Sequence, residues 1–229
     1  MLYLTALQEG LLYGLLALGV YISLRVLDIP DLTTEGSFGF GSALAAVLAA
    51  GGHTYLSLPI AFLGGMAAGL ITGLLQTKLQ VHPVLAGIIT MSGLYSVNLI
   101  VRGGPNLSIG AANLFKQFYK ALHLTGDQRK VAGALLALVI CLVVTLLLIV
   151  FFKTHVGLCI RATGDNQDMV RASSINVDAT LILGLCISNG LIGLAGALVT
   201  HYVGYSDTST SNGTLIYGCL LYTSDAADE

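Results

Sequence analysis

Val131-Ala-Gly-Ala-Leu-Leu-Ala-Leu-Val-Ile-Cys-Leu-Val-Val-Thr-Leu-Leu-Leu-Ile-Val-Phe-Phe152 decides the fold. The run has no charged side chain and is apolar on every helical face. A helix rises about 1.5 Å per residue, so about 20 apolar residues cross the roughly 30 Å hydrocarbon core of a bilayer. A helix with no polar stripe belongs to a membrane or to the centre of a large core. Residues 2–24, 56–75, 84–101 and 179–203 repeat the signal. A sixth stretch, 38–50, is apolar but short, and Asp28, Asp31, Thr33, Thr34 and Glu35 precede it. Backbone left unpaired against lipid is not tolerated. The sixth stretch is therefore predicted to be a short or broken helix facing protein or water.

Composition agrees. The chain has 229 residues, 55% hydrophobic and only 10% charged. A soluble domain carries roughly 25% charged residues. So little charge cannot cover a globular surface, which excludes a soluble enzyme and a disordered chain. It also leaves no basic face for nucleic acid. The expected fold is an all-α polytopic transmembrane helical bundle of about six membrane segments. The first segment is not read as a signal peptide, because it lacks a basic start and Glu9 interrupts it.

Among 28 glycines, Gly65, Gly69 and Gly73 recur every fourth residue, with Ala61 continuing the row. Such a stripe lets a neighbouring helix backbone come close. Gly10 and Gly14 form a weaker version. Lys and Arg do not orient the bundle. Arg25, Lys78, Lys153, Arg161 and Arg171 fall on one side, and Arg102, Lys116, Lys120, Arg129 and Lys130 on the other. Within the loop 102–130, Leu114, Phe118 and Leu122 share a helical face opposite Lys116 and Lys120, and Gly126 follows. Two readings stand: a helix lying in the membrane interface, or one packing on the protein itself.

The segment Lys153-Thr-His-Val-Gly-Leu-Cys-Ile-Arg-Ala-Thr-Gly-Asp-Asn-Gln-Asp-Met-Val-Arg-Ala-Ser-Ser-Ile-Asn-Val-Asp178 joins two spans and is the densest in charge. Gly164 is predicted to break the chain, Asp165 or Asn166 to cap a short helix, and Asp168 to sit in its first turn. Arg171 falls in its last turn, and Asp178 is placed to cap the next span. A short helix held between two rigid spans suits docking to a partner.

The pattern Gly157…Arg161-Ala162-Thr163-Gly164-x-Asn166…Arg171…Ile175-Asn176-Val177 resembles the coupling segment of ABC importer permeases of the branched-chain amino acid and ribose class. Ala68-Gly-Leu-Ile-Thr-Gly-Leu-Leu-Gln-Thr-Lys78 resembles the family's third-span ending. Leu27-Asp-Ile-Pro-Asp-Leu-Thr-Thr-Glu-Gly-Ser-Phe38 and Val81-His-Pro-Val-Leu-Ala-Gly-Ile-Ile-Thr-Met-Ser-Gly-Leu-Tyr-Ser-Val-Asn-Leu99 resemble a subgroup of tryptophan/tyrosine-type uptake permeases. The resemblance covers residues 1–218. It implies that Gly157, Arg161, Ala162, Gly164, Asn166, Arg171, Ile175 and Asn176 couple the chain to a cytoplasmic ATPase subunit. It further implies an external solute-binding protein, a second permease copy, an amino-acid solute, and a multi-pass place in the bacterial inner membrane. With 153–178 cytoplasmic, the N-terminus lies outside. One departure is Ser174, where the family typically has Gly.

Cys219-Leu-Leu-Tyr-Thr-Ser-Asp-Ala-Ala-Asp-Glu229 resembles an in-frame translation of a sequencing adapter. On that reading residues 1–218 are an incomplete transmembrane permease domain and 219–229 a non-native tail. The 12 acidic residues fall to 9 against 10 basic ones, and the net charge moves from -2 to +1.

Asp31 and Glu35 are candidates either to face a solute pathway or to stabilise helix starts, with the structural role favoured. Asn98 and Asn189 are candidates for the pathway or, preferably, for bonds between helices. The five histidines show no i, i+4 zinc spacing and the cysteines no C-x-x-C pair, so no metal or cofactor is expected. No G-x-x-x-x-G-K-[ST] loop occurs, so the chain is not expected to be an enzyme, and ATP use would require a partner. The rival reading is an ion- or proton-coupled secondary transporter, which would need ionisable groups at mid-membrane.

Overall fold

The structure, a computed structural model, describes residues 2–110, 113–121 and 128–216. It is an all-α polytopic membrane fold. Helix α1 (Leu2–Tyr21) runs into a π-helical turn (Ile22–Val26), followed by α2 (Thr34–Ala50), α3 (Thr54–Thr77) and α4 (Pro83–Arg102). Strand β1 (Asn106–Ser108), α5 (Leu114–Ala121), α6 (Gln128–Lys153), α7 (His155–Asp165), α8 (Gln167–Ala172) and α9 (Val177–Val203) come next. Strand β2 (Tyr205–Asp207) and a 3₁₀ turn (Thr208–Ser211) complete the order. Five helices are long and apolar enough to cross a membrane: Tyr3–Val26, Thr54–Thr77, Pro83–Arg102, Val131–Lys153 and Val177–Val203. They coincide with the five predicted spans.

The most apolar span is also the least buried, as lipid contact allows. The most apolar helix, α6, has only 6% of its span buried, whereas α9 has 78% buried. Yet α9 carries the buried polar residues Thr180, Ser188, Asn189, Thr200 and His201. Lipid covers Leu and Val at no cost, while hydroxyls and amides must find partners inside the bundle.

Helices α2, α3 and α9 form the centre. The stripe on α3 does what its spacing predicts. A Cβ on Gly65 would lie 3.0 Å from Gly190 Cα, one on Gly69 2.9 Å from Cys186 Cα, and one on Gly73 3.1 Å from Ile182 Cα. Each α3 glycine thus admits the α9 backbone. Gly10 and Gly14 have nothing within 4 Å of such a Cβ, so this weaker row packs no described helix. Gly19 does so instead, beside Ile192.

The sixth segment is neither broken nor confined to 38–50. Helix α2 is continuous from Thr34 and nearly enclosed, with Phe38 and Ala43 fully buried. Its polar first turn is stabilised by partners on other helices. Thr33 and Thr72 hydroxyls pair at 2.8 Å, and the Ser37 hydroxyl donates to Asn189 Oδ1 at 2.6 Å.

Beyond α9 the chain turns back along α2. Ser206 and Ser42 hydroxyls pair at 2.6 Å, a Cβ on Gly39 would touch Ser211 at 3.2 Å, and the Gly213 amide donates to Glu35 Oε1 at 2.9 Å. From Ser42 to Glu35 is two helical turns, about 10 Å of descent at 1.5 Å per residue. Strands β1 and β2 pair antiparallel against the same helix. Non-helical backbone at such depth is tolerated only inside protein or beside a water-filled cavity. The sequence reading did not anticipate this re-entrant segment.

Helix α5 packs on the protein. Phe115 is buried and meets the Tyr202 ring edge-on at 6.3 Å, and the Leu114 amide donates to His201 Nδ1. Of the two readings for this helix, the structure takes packing. Leu122 and Gly126 lie outside the described residues, as does the predicted tail 219–229.

Candidate functional site

The ends of α1, α3 and α6, the starts of α2, α4 and α9, and the short helices α7 and α8 share one face. The segment 153–178 forms two short helices rather than one. Thr154 caps α7, its hydroxyl accepting from the Gly157 amide at 3.3 Å. Asn166 caps α8, accepting from the Met169 amide at 3.0 Å. Asp168 stands in the first turn of α8 and Arg171 in its last. Two details correct the sequence reading. Gly164 does not break the chain: it lies in the last turn of α7, and the break comes at Asn166, where φ is -158°. Asn176 rather than Asp178 caps α9, accepting from the Ala179 amide at 3.2 Å.

What Gly164 does is packing. An added Cβ would overlap the Val26 carbonyl oxygen and sit 3.1 Å from Leu27 Cα. The end of α7 therefore rests directly on the backbone where the π-helical turn closes α1. Gly157 likewise lies against the end of α6, where an added Cβ would sit 3.0 Å from the Phe152 carbonyl carbon. Thr163 and Thr180 hydroxyls meet at 2.9 Å and tie α7 to α9. Beneath them Leu27, Ile29, Ile160, Val170, Val177, Leu181 and Leu185 make one apolar cluster, with Ile175 packed against it.

The eight residues singled out in 153–178 thus divide. Gly157 and Gly164 are close-approach points, Asn166 and Asn176 are caps, and Ile175 is part of the cluster. Arg161, Ala162 and Arg171 are exposed. Met169, 70% exposed beside the buried Val170, joins this outward set, although the sequence reading passed over it. The outward row is mounted on α1, α6 and α9 together.

A cleft of about 790 Å³ opens beside α8, lined among others by Asp28, Gln76, His82, Arg171, Asn176 and Asp178. Among the described residues, three non-glycine ones adopt left-handed backbone: Asp28 at φ 55°, Gln80 at φ 53° and Ser174 at φ 60°. All three lie in connections on this face. Such conformations cost about 1–2 kcal/mol each for L-residues and cluster where function sets the geometry. At Ser174 the left-handed turn is the one a glycine would favour, so the departure from the family pattern leaves the turn in place.

The four polar candidates also divide. Asp31 is 3% exposed; its Oδ1 accepts from the Thr33 amide at 2.9 Å and its Oδ2 from Asn189 Nδ2 at 2.6 Å. Asp31 and Asn189 therefore fix the start of α2 to α9. Glu35 and Asn98 instead line a second, smaller cleft with Ser211 and Asn212. Lys153 and Arg161 edge an apolar groove between α1 and α6.

A bundle of spanning helices with a rigid, capped helical pair on one face is the architecture of a transport permease. The chain belongs to the family described as branched-chain amino acid transport system / permease component, which matches residues 2–221. It is 35% identical over 216 residues to a tyrosine transport system permease protein of Clostridioides difficile, covering 94% of this chain and 70% of that one. It is 29% identical over 194 residues to a probable branched-chain amino acid transport permease protein of Methanocaldococcus jannaschii, covering 81% and 61%. A fructose import permease protein of Bifidobacterium longum is 29% identical over 203 residues, covering 87% and 55%. No solved structure gives a significant match.

Proposed function

We propose that this permease is the membrane subunit of an ATP-driven importer of amino acids. Its face at 153–178 lies in the cytoplasm and docks an ATPase subunit through Arg161, Ala162, Met169 and Arg171. The observation that carries this reading is the mounting of that exposed row, in which α7 rests on Val26, Phe152 and Thr180 at once. Closure of the ATPase would push α7 and α8 and tilt α1, α6 and α9 as a set. The N-terminus, α5 and the β1–β2 pair then face outward, where a solute-binding protein delivers its cargo. A second copy pairs with the first to enclose the pathway in the bacterial inner membrane. An aromatic amino acid is the favoured cargo, supported by the tyrosine permease relative.

The ion-coupled alternative is kept open by Asp31 and Glu35 as ionisable groups. Asp31 is bonded to Thr33 and Asn189, and Glu35 to Gly213.

The test is co-purification with the ATPase encoded beside the gene. Arg171→Glu and Met169→Ala should each weaken capture about tenfold, as interface anchors do. Ala substitution of exposed Tyr3, on the opposite face, should not. Unchanged capture by both variants would refute the docking role. Cysteine at Asp165 should react with an impermeant maleimide only from the cytoplasmic side, and labelling from outside would invert the topology.

A further inference from the structure

The second cleft lies at membrane depth between α2, α4 and the re-entrant segment. Its polar lining is Glu35, Ser92, Tyr95, Asn98, Ser211 and Asn212, and its volume is about 240 Å³. Drug-sized sites run to about 300–1,000 Å³, so this one seats a small head group. Two features give it a preferred sign. Glu35 brings a carboxylate that no cation pairs with among the described residues, and only its Oε1 is engaged, by the Gly213 amide at 2.9 Å. Asn98 is 6% exposed and its Oδ1 is buried with no hydrogen-bond partner. Its Nδ2 faces the Gly36 carbonyl at 3.5 Å, an orientation that keeps two acceptors from meeting. A buried acceptor without a donor is costly and marks a place where a donor belongs.

We infer that this cleft is a subsite for a protonated primary amine, held by the Glu35 carboxylate and the Asn98 amide oxygen. An ammonium offers three donors and no acceptor, which complements the free oxygens of Glu35 and Asn98. The neighbouring hydroxyls of Ser92 and Ser211 can turn to accept as well. The inference rests on the amino-acid reading for what carries the amine in the cell, namely the α-ammonium of the solute. The re-entrant segment supplies two of the lining residues, so a deviation from helix at this depth acquires a purpose: it brings polar backbone and short side chains to a point inside the bundle.

The test uses the full chain in lipid nanodiscs and three probes: L-tyrosine, tyramine, which keeps the amine alone, and 3-(4-hydroxyphenyl)propionate, which keeps the acid alone. Wild type should bind tyramine and L-tyrosine at least about tenfold more tightly than the acid. Glu35→Gln keeps an oxygen for the Gly213 amide and removes the charge, so it should erase that preference while Glu35→Asp retains most of it. Asn98→Ala should weaken both amines about fivefold to tenfold. Each variant is first checked for a monodisperse size-exclusion profile. Equal binding of amines and acid by wild type, or amine affinity within twofold in Glu35→Gln, overturns the subsite. Tyramine bound through Glu35 with L-tyrosine excluded upholds the subsite and sinks the amino-acid cargo. L-tyrosine bound equally by wild type and Glu35→Gln does the reverse. Failure of wild type to bind either amine defeats both.

Discussion

Replacing Gly69 by alanine adds one methyl group at the close-packed seam between α3 and α9. The new Cβ would overlap the Leu185 carbonyl oxygen and lie 2.8 Å from its carbon and 2.9 Å from Cys186 Cα, where ordinary contact begins near 3.4 Å. All three obstacles belong to backbone, so no rotamer change relieves them. Helices α3 and α9 must part by about 0.5–1 Å, and a gap of that size forfeits a quarter to a half of each dispersion contact along the seam. Overpacking of this kind costs about 1–3 kcal/mol, and alanine returns about 0.5–1 kcal/mol through its better helix propensity. The net loss runs from about 0 to about 2.5 kcal/mol, at most roughly 10 °C in melting temperature for a chain of this size. Gly10→Ala is the control. It meets nothing within 4 Å, gains the same propensity, and should melt slightly higher. Cys186 is 4% exposed at the seam itself, so its reaction with a fluorogenic maleimide reports helix separation directly. With Cys141, Cys159 and Cys219 changed to alanine, Gly69→Ala should label faster and melt lower than the parent. A rise in melting temperature like that of Gly10→Ala would show that the α3–α9 seam is not where the structure puts it.

Ser174→Gly should raise stability by about 1 kcal/mol, because φ 60° penalises a side chain there; a denaturant midpoint measures it. Asp31→Ala strands the buried Thr33 N–H and leaves Asn189 Nδ2 with the Leu185 carbonyl alone, and should cost about 1–3 kcal/mol, with Asp31→Asn milder, in the same unfolding assay. Phe115→Ala should cost about 3–5 kcal/mol as a core truncation; a change near zero would return α5 to the membrane interface.

The spans were legible because crossing a bilayer is a one-dimensional constraint: count apolar residues and compare with a thickness. The caps Asn166 and Arg171's place in the last turn were legible for a similar reason, since a helix end needs acceptors and cations locally. What the sequence hid was third-dimensional. Thr34–Ser37 read as a polar approach to a short helix, yet they are its first turn, because Asn189 lies 152 residues from Ser37 and supplies its partner. Gly164 read as a breaker, because nothing in a string of letters shows the Val26 carbonyl waiting against it. Residues 204–213, rich in Ser, Thr and Gly, announced a loop without announcing its depth. The candidates Asp31, Glu35, Asn98 and Asn189 stood out in the sequence as polar residues in apolar surroundings. Their separation into a strut and a cleft required knowing which of them face each other.

The position of α9 has a consequence for how the molecule is made. Helices emerge from the ribosome in chain order, so α2 reaches the bilayer while α9 is still unsynthesised. During that interval Ser37, Ser42 and Asp31 lack the Asn189 and Thr200 groups that satisfy them in the finished bundle. An unsatisfied polar group costs several kcal/mol in hydrocarbon. Helix α2 therefore waits at the insertion machinery, or beside α3 through the Thr33–Thr72 bond, until α9 arrives to seal it. Assembly of α2 is gated by the arrival of α9. Early nascent chains should remain held by the insertase and be open to degradation, and a ribosome-arrest series that releases them freely before residue 203 would contradict this order.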